Sequence, residues 1–155
     1  MPSHRAFSPP RPLTERIGRT GRNVAIVIES AAMLAAASLA IRWLPFRHVM
    51  AGAGWNGSAD RAFDQAATAR RVRWAVNKVA DAAPWRAVCF QRGLSVHWML
   101  RRRGIPSFLH YGIDGQAPKG ISAHVWVVLG GEPLIGGEDA ARHACVMIRP
   151  APKPD

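Results

Sequence analysis

The sequence predicts an α+β domain in which helices pack on a small antiparallel sheet. Helical patterns fill residues 23–44, 60–82 and 85–103 in succession, whereas residues 107–149 alternate apolar and polar side chains with the period of a strand. Gly104 and Pro106 mark the change between the two patterns. With 155 residues and 48% hydrophobic content the chain can bury a core of its own as one domain.

The formal charge is +11, from 21 Lys plus Arg against 10 Asp plus Glu, so the surface attracts polyanions or an acidic peptide. Two cysteines, Cys89 and Cys145, in a chain without a convincing secretory signal suit a reducing cytoplasm better than a disulfide scaffold. No phosphate loop, no dinucleotide fingerprint and no His/Cys/Asp cluster with zinc spacing occurs. The reading therefore calls for no cofactor and no metal.

Taken in order, residues 1–22 combine Arg, Pro and Ser without a usable period and read as a flexible basic arm. The most apolar stretch, residues 23–44, has the length of a membrane span, but Glu29 interrupts it, and an acid at the centre of a span costs about 2.5 to 3.5 kcal/mol. A buried core helix is expected instead, with Glu29 needing a partner and Pro45 as the stop. The loop AGAGWNGS at 51–58 closes a helical prefix spanning 23–58. The core then runs from 59 to 150, followed by a tail at 151–155. Its first helix, at 60–82, turns Phe63, Ala67, Val72, Ala75, Val76 and Val79 inward and leaves Arg70, Arg71, Arg73 and Lys78 mostly outside. Trp74 falls off that stripe.

Pro84 suits a first turn, so the next helix is expected from about Trp85 to Arg103, with Cys89 near its start. Cys89, Gly93, Val96 and Leu100 share one face. A thiol attacks as its thiolate, which the free N–H groups of a helix start and a nearby imidazolium both stabilise. Those N–H groups can also cradle an oxyanion. The plain alternative is an inert, half-buried cysteine. Cys145, in ACVMI, reads as a buried small hydrophobe.

Strands are expected in SFLHYGI and SAHVWVVL, with Gly130-Gly131 in a tight turn. His124 lies 35 positions after Cys89, on a strand that the fold can bring to the helix start. A thiol beside an imidazole is the arrangement that thiol hydrolysis requires. His110 is a second candidate base, His97 lies too far along the helix to reach Cys89, and His4, His48 and His143 look incidental. Trp126 shares the His124 face and is expected to shield the imidazole or line the substrate cleft.

The segment CFQRGL with MLRRRGIP, followed by SAHVWV, resembles the transglutaminase-like leader peptidases of lasso-peptide biosynthesis. IRWLPFRHV and APWRAVC are similar to that family's N-terminal helix exit and its lead-in to the catalytic helix, so the likeness covers roughly residues 24–150. It implies a papain/transglutaminase-like fold and a Cys, His and acid triad carried onto Cys89 and His124. The reaction implied is removal of the leader from a ribosomally made precursor peptide before macrocyclisation. The implied partners are a separate leader-recognition protein, since the chain leaves no room for that domain beside the core, and an ATP-dependent lasso cyclase. Nucleic acid and membrane contact are not expected. Gly136 and Gly137 stand where the family often has Asp, leaving Glu138, Asp139 or a backbone carbonyl to orient His124. A scaffold or peptide-binding subunit that has lost catalysis is the alternative reading.

Overall fold

The computed structural model describes residues 13–53, 64–115 and 120–151, with only the backbone course for 13–20. Four helices, α1 (Leu13–Trp43), α2 (Phe46–Gly52), α3 (Gln65–Ala82) and α4 (Cys89–Arg102), precede four strands. These are β1 (Phe108–Asp114), β2 (Ser122–Leu129), β3 (Glu132–Ile135) and β4 (Ala144–Arg149), with a 3-10 helix at Gly137–Arg142. The sheet order is β3-β2-β1-β4 and the ladders are antiparallel. The α+β architecture is thus the one the sequence predicts.

α1 differs from its expected form in two ways. It begins at Leu13, so residues 13–22, read as basic arm, continue the helix; extending a helix is far easier than nucleating one. Residues 1–12 lie outside the described residues, as do Phe63 and most of the 51–58 loop. Secondly, α1 is not buried all round. Ile26, Ser30, Leu34 and Ala37 form one buried stripe, while Val24, Ile28, Leu39 and Trp43 on the other side are exposed. Gly21–Trp43 has the length and composition to cross a membrane, with 22% of its most apolar window buried. Glu29 does have its partner: Arg103, after the end of α4, binds the carboxylate with both terminal nitrogens, one at 2.9 Å.

Asp64 caps α3 by accepting from the Ala67 N–H at 2.9 Å. Ala69, Val72, Ala75 and Val76 on this helix meet Leu94, Met99 and Leu100 of α4 in the core, with Leu109, Val125 and Val127 on the sheet side. Burying each Leu or Val contributes about 1.5 to 3 kcal/mol, so this seam holds the helix layer to the sheet. Gly93 lets α4 approach: a Cβ there would stand 2.9 Å from Val125 Cγ1. The β2–β3 turn uses Gly130 and Gly131, both at positive φ (59° and 88°), as a tight hairpin turn demands.

His97, too far along α4 to serve Cys89, is a structural pin. Fully buried, it donates from Nε2 to Ala53 O at 2.8 Å and accepts the Ser107 hydroxyl at Nδ1, 2.9 Å away. Burial holds its pKa down at about 4. The neutral ring ties the end of α2 to the segment entering β1.

Candidate active site

The helix bearing the thiol starts later than Pro84 suggested. Residues 83–88 are not helical, and α4 opens on Cys89 itself. Gln91 Oε1 accepts the Val88 N–H at 3.1 Å, which fixes the turn just ahead of the cysteine. Phe90 anchors the same turn in a cluster with Phe46 and Tyr111, the ring centroids lying 5.1 to 6.3 Å apart. The first N–H groups of α4 have no helical acceptor, and Cys89 is the residue on which that helix opens.

Cys89 is half-buried and free. It lines a pocket of about 300 Å³ together with Arg73 and Asn77 of α3, Arg92, Val125, Ile135, Gly136 and Glu138. Arg92 is already engaged, pairing with Asp81 at 2.9 Å and donating to Ala87 O at 3.0 Å. Arg73 carries no ion pair among the described residues and leaves positive charge at the pocket wall.

His124 occupies the end of β2 where the ladder to β3 has stopped. Ile135 opposes Val127 and is the last residue of β3, so β2 has no strand neighbour on that side at His124. The imidazole fills the gap by donating from Nε2 to Gly136 O at 2.7 Å. A carbonyl can only accept, so the neutral ring carries its proton on Nε2 and its lone pair on Nδ1. Trp126 lies alongside at 6.1 Å, nearly parallel, and the His143 ring stands 5.1 Å away.

Several sequence expectations change here. Val125, not His124, points into the helix–sheet interface, since it is the side chain against Gly93; by strand alternation His124 and Trp126 take the opposite face. Cys89 and His124 share no hydrogen bond among the described residues. What they have in common is Gly136, which lines the thiol pocket and holds the imidazole through its carbonyl. Neither proposed acid bonds His124. Glu138 lines the thiol pocket and is exposed, while Asp139 faces Arg142 at 3.4 Å and uses its carbonyl to hold His143 Nδ1 at 2.9 Å. Trp126 packs over Gly112 and does not line the Cys89 pocket.

Cys145 is also placed differently. It is exposed on β4, an edge strand, with Sγ 3.6 Å from His110 Nδ1. His110, the second candidate base, therefore faces Cys145. Its burial lowers its pKa and favours the neutral ring. His143 looked incidental because nothing in sequence relates the start of β4 to β2. Among the described residues no group of three His, Cys, Asp or Glu has metal-site geometry.

A family model described as the transglutaminase-like superfamily matches residues 31–148, from the middle of α1 to the end of β4. The chain belongs to the transglutaminase-like superfamily. No curated protein and no solved structure matches it. The transglutaminase-like superfamily includes cysteine peptidases, and in this member a cysteine opens the helix that packs on the sheet while a histidine sits on the second strand.

Proposed function

We propose that this protein is a cysteine peptidase that removes the leader from a ribosomally made lasso precursor before macrocyclisation, acting in the cytoplasm with a separate leader-recognition protein and ahead of the lasso cyclase. The observation that carries the reading is the double role of Gly136 between Cys89 and His124. With Nε2–H held by the Gly136 carbonyl, Nδ1 is the nitrogen available as base. Catalytic contacts are often open in the free enzyme and tighten around bound substrate; closure here needs the Nδ1 edge to come through the gap beyond β3 to the thiol.

In the reaction, Cys89 transfers its proton to His124 and attacks the scissile carbonyl. The first N–H groups of α4 stabilise the oxyanion. The imidazolium returns the proton to the leaving amine, the thioester forms, and water activated by the same ring releases the leader acid. Gly136 O takes the orienting part of the triad. It lacks a full negative charge, so it stabilises the imidazolium less than a carboxylate does.

Mass spectrometry of the cognate precursor, incubated with its recognition partner and this protein, tests the reading. Cleavage is expected with the wild type and lost in Cys89→Ala. Undiminished cleavage by that variant sinks the assignment.

A second reading is a non-catalytic peptide-binding subunit of the same assembly, favoured by the missing Cys89–His124 hydrogen bond. It predicts that His124→Ala keeps full function and that Cys89 reacts with iodoacetamide no faster than a free thiol.

A further inference from the structure

The pocket at Cys89 does not end at the thiol. Arg73 and Asn77, on its α3 side, also line an open groove along the outer face of that helix, beside Arg70, Trp74 and Lys78. Beyond Arg70 the groove continues to Arg22 on α1, again against Trp74. The spacing explains the stripe: Arg70, Trp74 and Lys78 follow one another at four residues and so stand on one side of the helix.

Its charge is strongly one-sided. Arg70, Arg71, Arg73 and Lys78 make no ion pair among the described residues, and the one acid lining the groove, Asp81, is paired with Arg92 at 2.9 Å. Trp74 is 48% exposed in the middle of these cations. An exposed indole framed by unpaired basic residues offers an apolar anchor and charge complementarity at one place.

We infer that this face of α3 is the substrate groove, and that it binds a peptide segment carrying Asp or Glu side chains and an apolar residue, leading its chain to Cys89. The inference rests on the peptidase reading for what happens at the thiol. Arg70 lies about 10 Å along the helix axis from Asn77, a span that an extended peptide covers in about three residues. The acidic residues therefore sit about three to five positions from the carbonyl that Cys89 attacks. A nucleic acid fits the charge but not the rest: base stacking uses aromatic platforms in series, and Trp74 is the one aromatic lining this groove among the described residues.

The test uses full-length Cys89→Ala protein, in which catalysis plays no part, and three fluorescent probes: a glutamate-rich peptide with one leucine, its glutamine counterpart, and a single-stranded RNA of matched length. The glutamate peptide is expected to bind about tenfold more tightly than the glutamine peptide at low salt, with the difference shrinking as salt is added. Arg70→Glu with Arg73→Glu should abolish that preference, and Trp74→Ala should weaken binding of both peptides by about tenfold. Arg42→Glu, at the end of α1, is the unaffected control. Equal binding of the two peptides, preference for the RNA, or full binding by the charge-reversed protein overturns the groove. A chloroacetyl group at the end of the glutamate peptide should alkylate Cys89 of the otherwise unaltered protein faster than the glutamine version does. That gain should vanish in Arg73→Gln, which removes charge at an exposed site without threatening the fold. Acid-selective binding without cleavage by the wild type leaves the groove standing and defeats the peptidase; cleavage without acid selectivity does the reverse.

Discussion

Gly136 O accepts a 2.7 Å hydrogen bond from His124 Nε2, and Gly136 has the positive φ of 76° that turns the chain away from β3. The same bend that ends the strand thus supplies the acceptor. A side chain cannot be added without cost, because a Cβ there would lie 2.7 Å from Val125 O. In the neutral ring the proton should therefore reside on Nε2. Long-range 15N–1H NMR correlations report the tautomer directly, and a proton found on Nδ1 contradicts this orientation.

Since the orienter is a carbonyl, the two nearby acids should matter little to the rate. Glu138→Gln and Asp139→Asn are expected to change cleavage by about twofold, the effect of a surface substitution worth about 0.5 kcal/mol. His124→Ala should lower it by about a thousandfold or more. A Glu138→Gln loss as deep as that of His124→Ala would restore a carboxylate triad.

The buried His97 gives stability a pH dependence. Its folded pKa of about 4 lies below the unfolded value of 6.5, so between these values the unfolded chain binds more protons. Its full contribution is present above pH 6.5 and is lost as pH falls through the folded value, amounting to about 3 kcal/mol at 1.36 kcal/mol per pKa unit. Urea melts at stepped pH should show that decline and a flatter profile in His97→Gln.

Glu29 and Arg103 join α1 to the end of α4, both side chains about one quarter exposed. The hydrogen bond from Arg103 lowers the Glu29 pKa, so this stabilisation is present above the usual carboxylate range and fades as pH falls through it. Breaking the pair by Glu29→Ala should cost about 2 kcal/mol, and the double variant with Arg103→Met should recover part of it. Thermal melts of the two variants make the comparison; a double variant less stable than the single one argues against pairing.

Cys145, exposed beside His110, should be labelled by a thiol reagent in the native protein. Cys145→Ser is expected to remove that label and leave cleavage unchanged. Loss of cleavage in this variant would transfer the nucleophile to the outer face of the sheet.

Local pattern made much of this legible. The period of three and four in residues 60–82 identified α3, and the alternation in SAHVWVVL identified β2 with His124 and Trp126 on one face and Val125 and Val127 on the other. Pro84 upstream placed Cys89 near a helix start, and Gly104 with Pro106 marked where that helix ends. What failed was at boundaries and at pairings between distant segments. Pro84 marked a turn, not the first helical residue, and Cys145 looked buried because ACVMI is apolar, although an edge strand leaves its opening residues uncovered.

The sequence by itself determined the α+β class, a helix start at Cys89, a strand at His124 and the basic face of α3, because each depends on pattern along one stretch of chain. Only the tertiary structure decided what holds His124, which residues share the Cys89 pocket, and that Arg73 and Asn77 line both that pocket and the groove on α3. Those relations join α3, α4, β2 and the end of β3, and their distances follow from where a strand stops and how closely Gly93 lets a helix approach, which no spacing along the chain encodes.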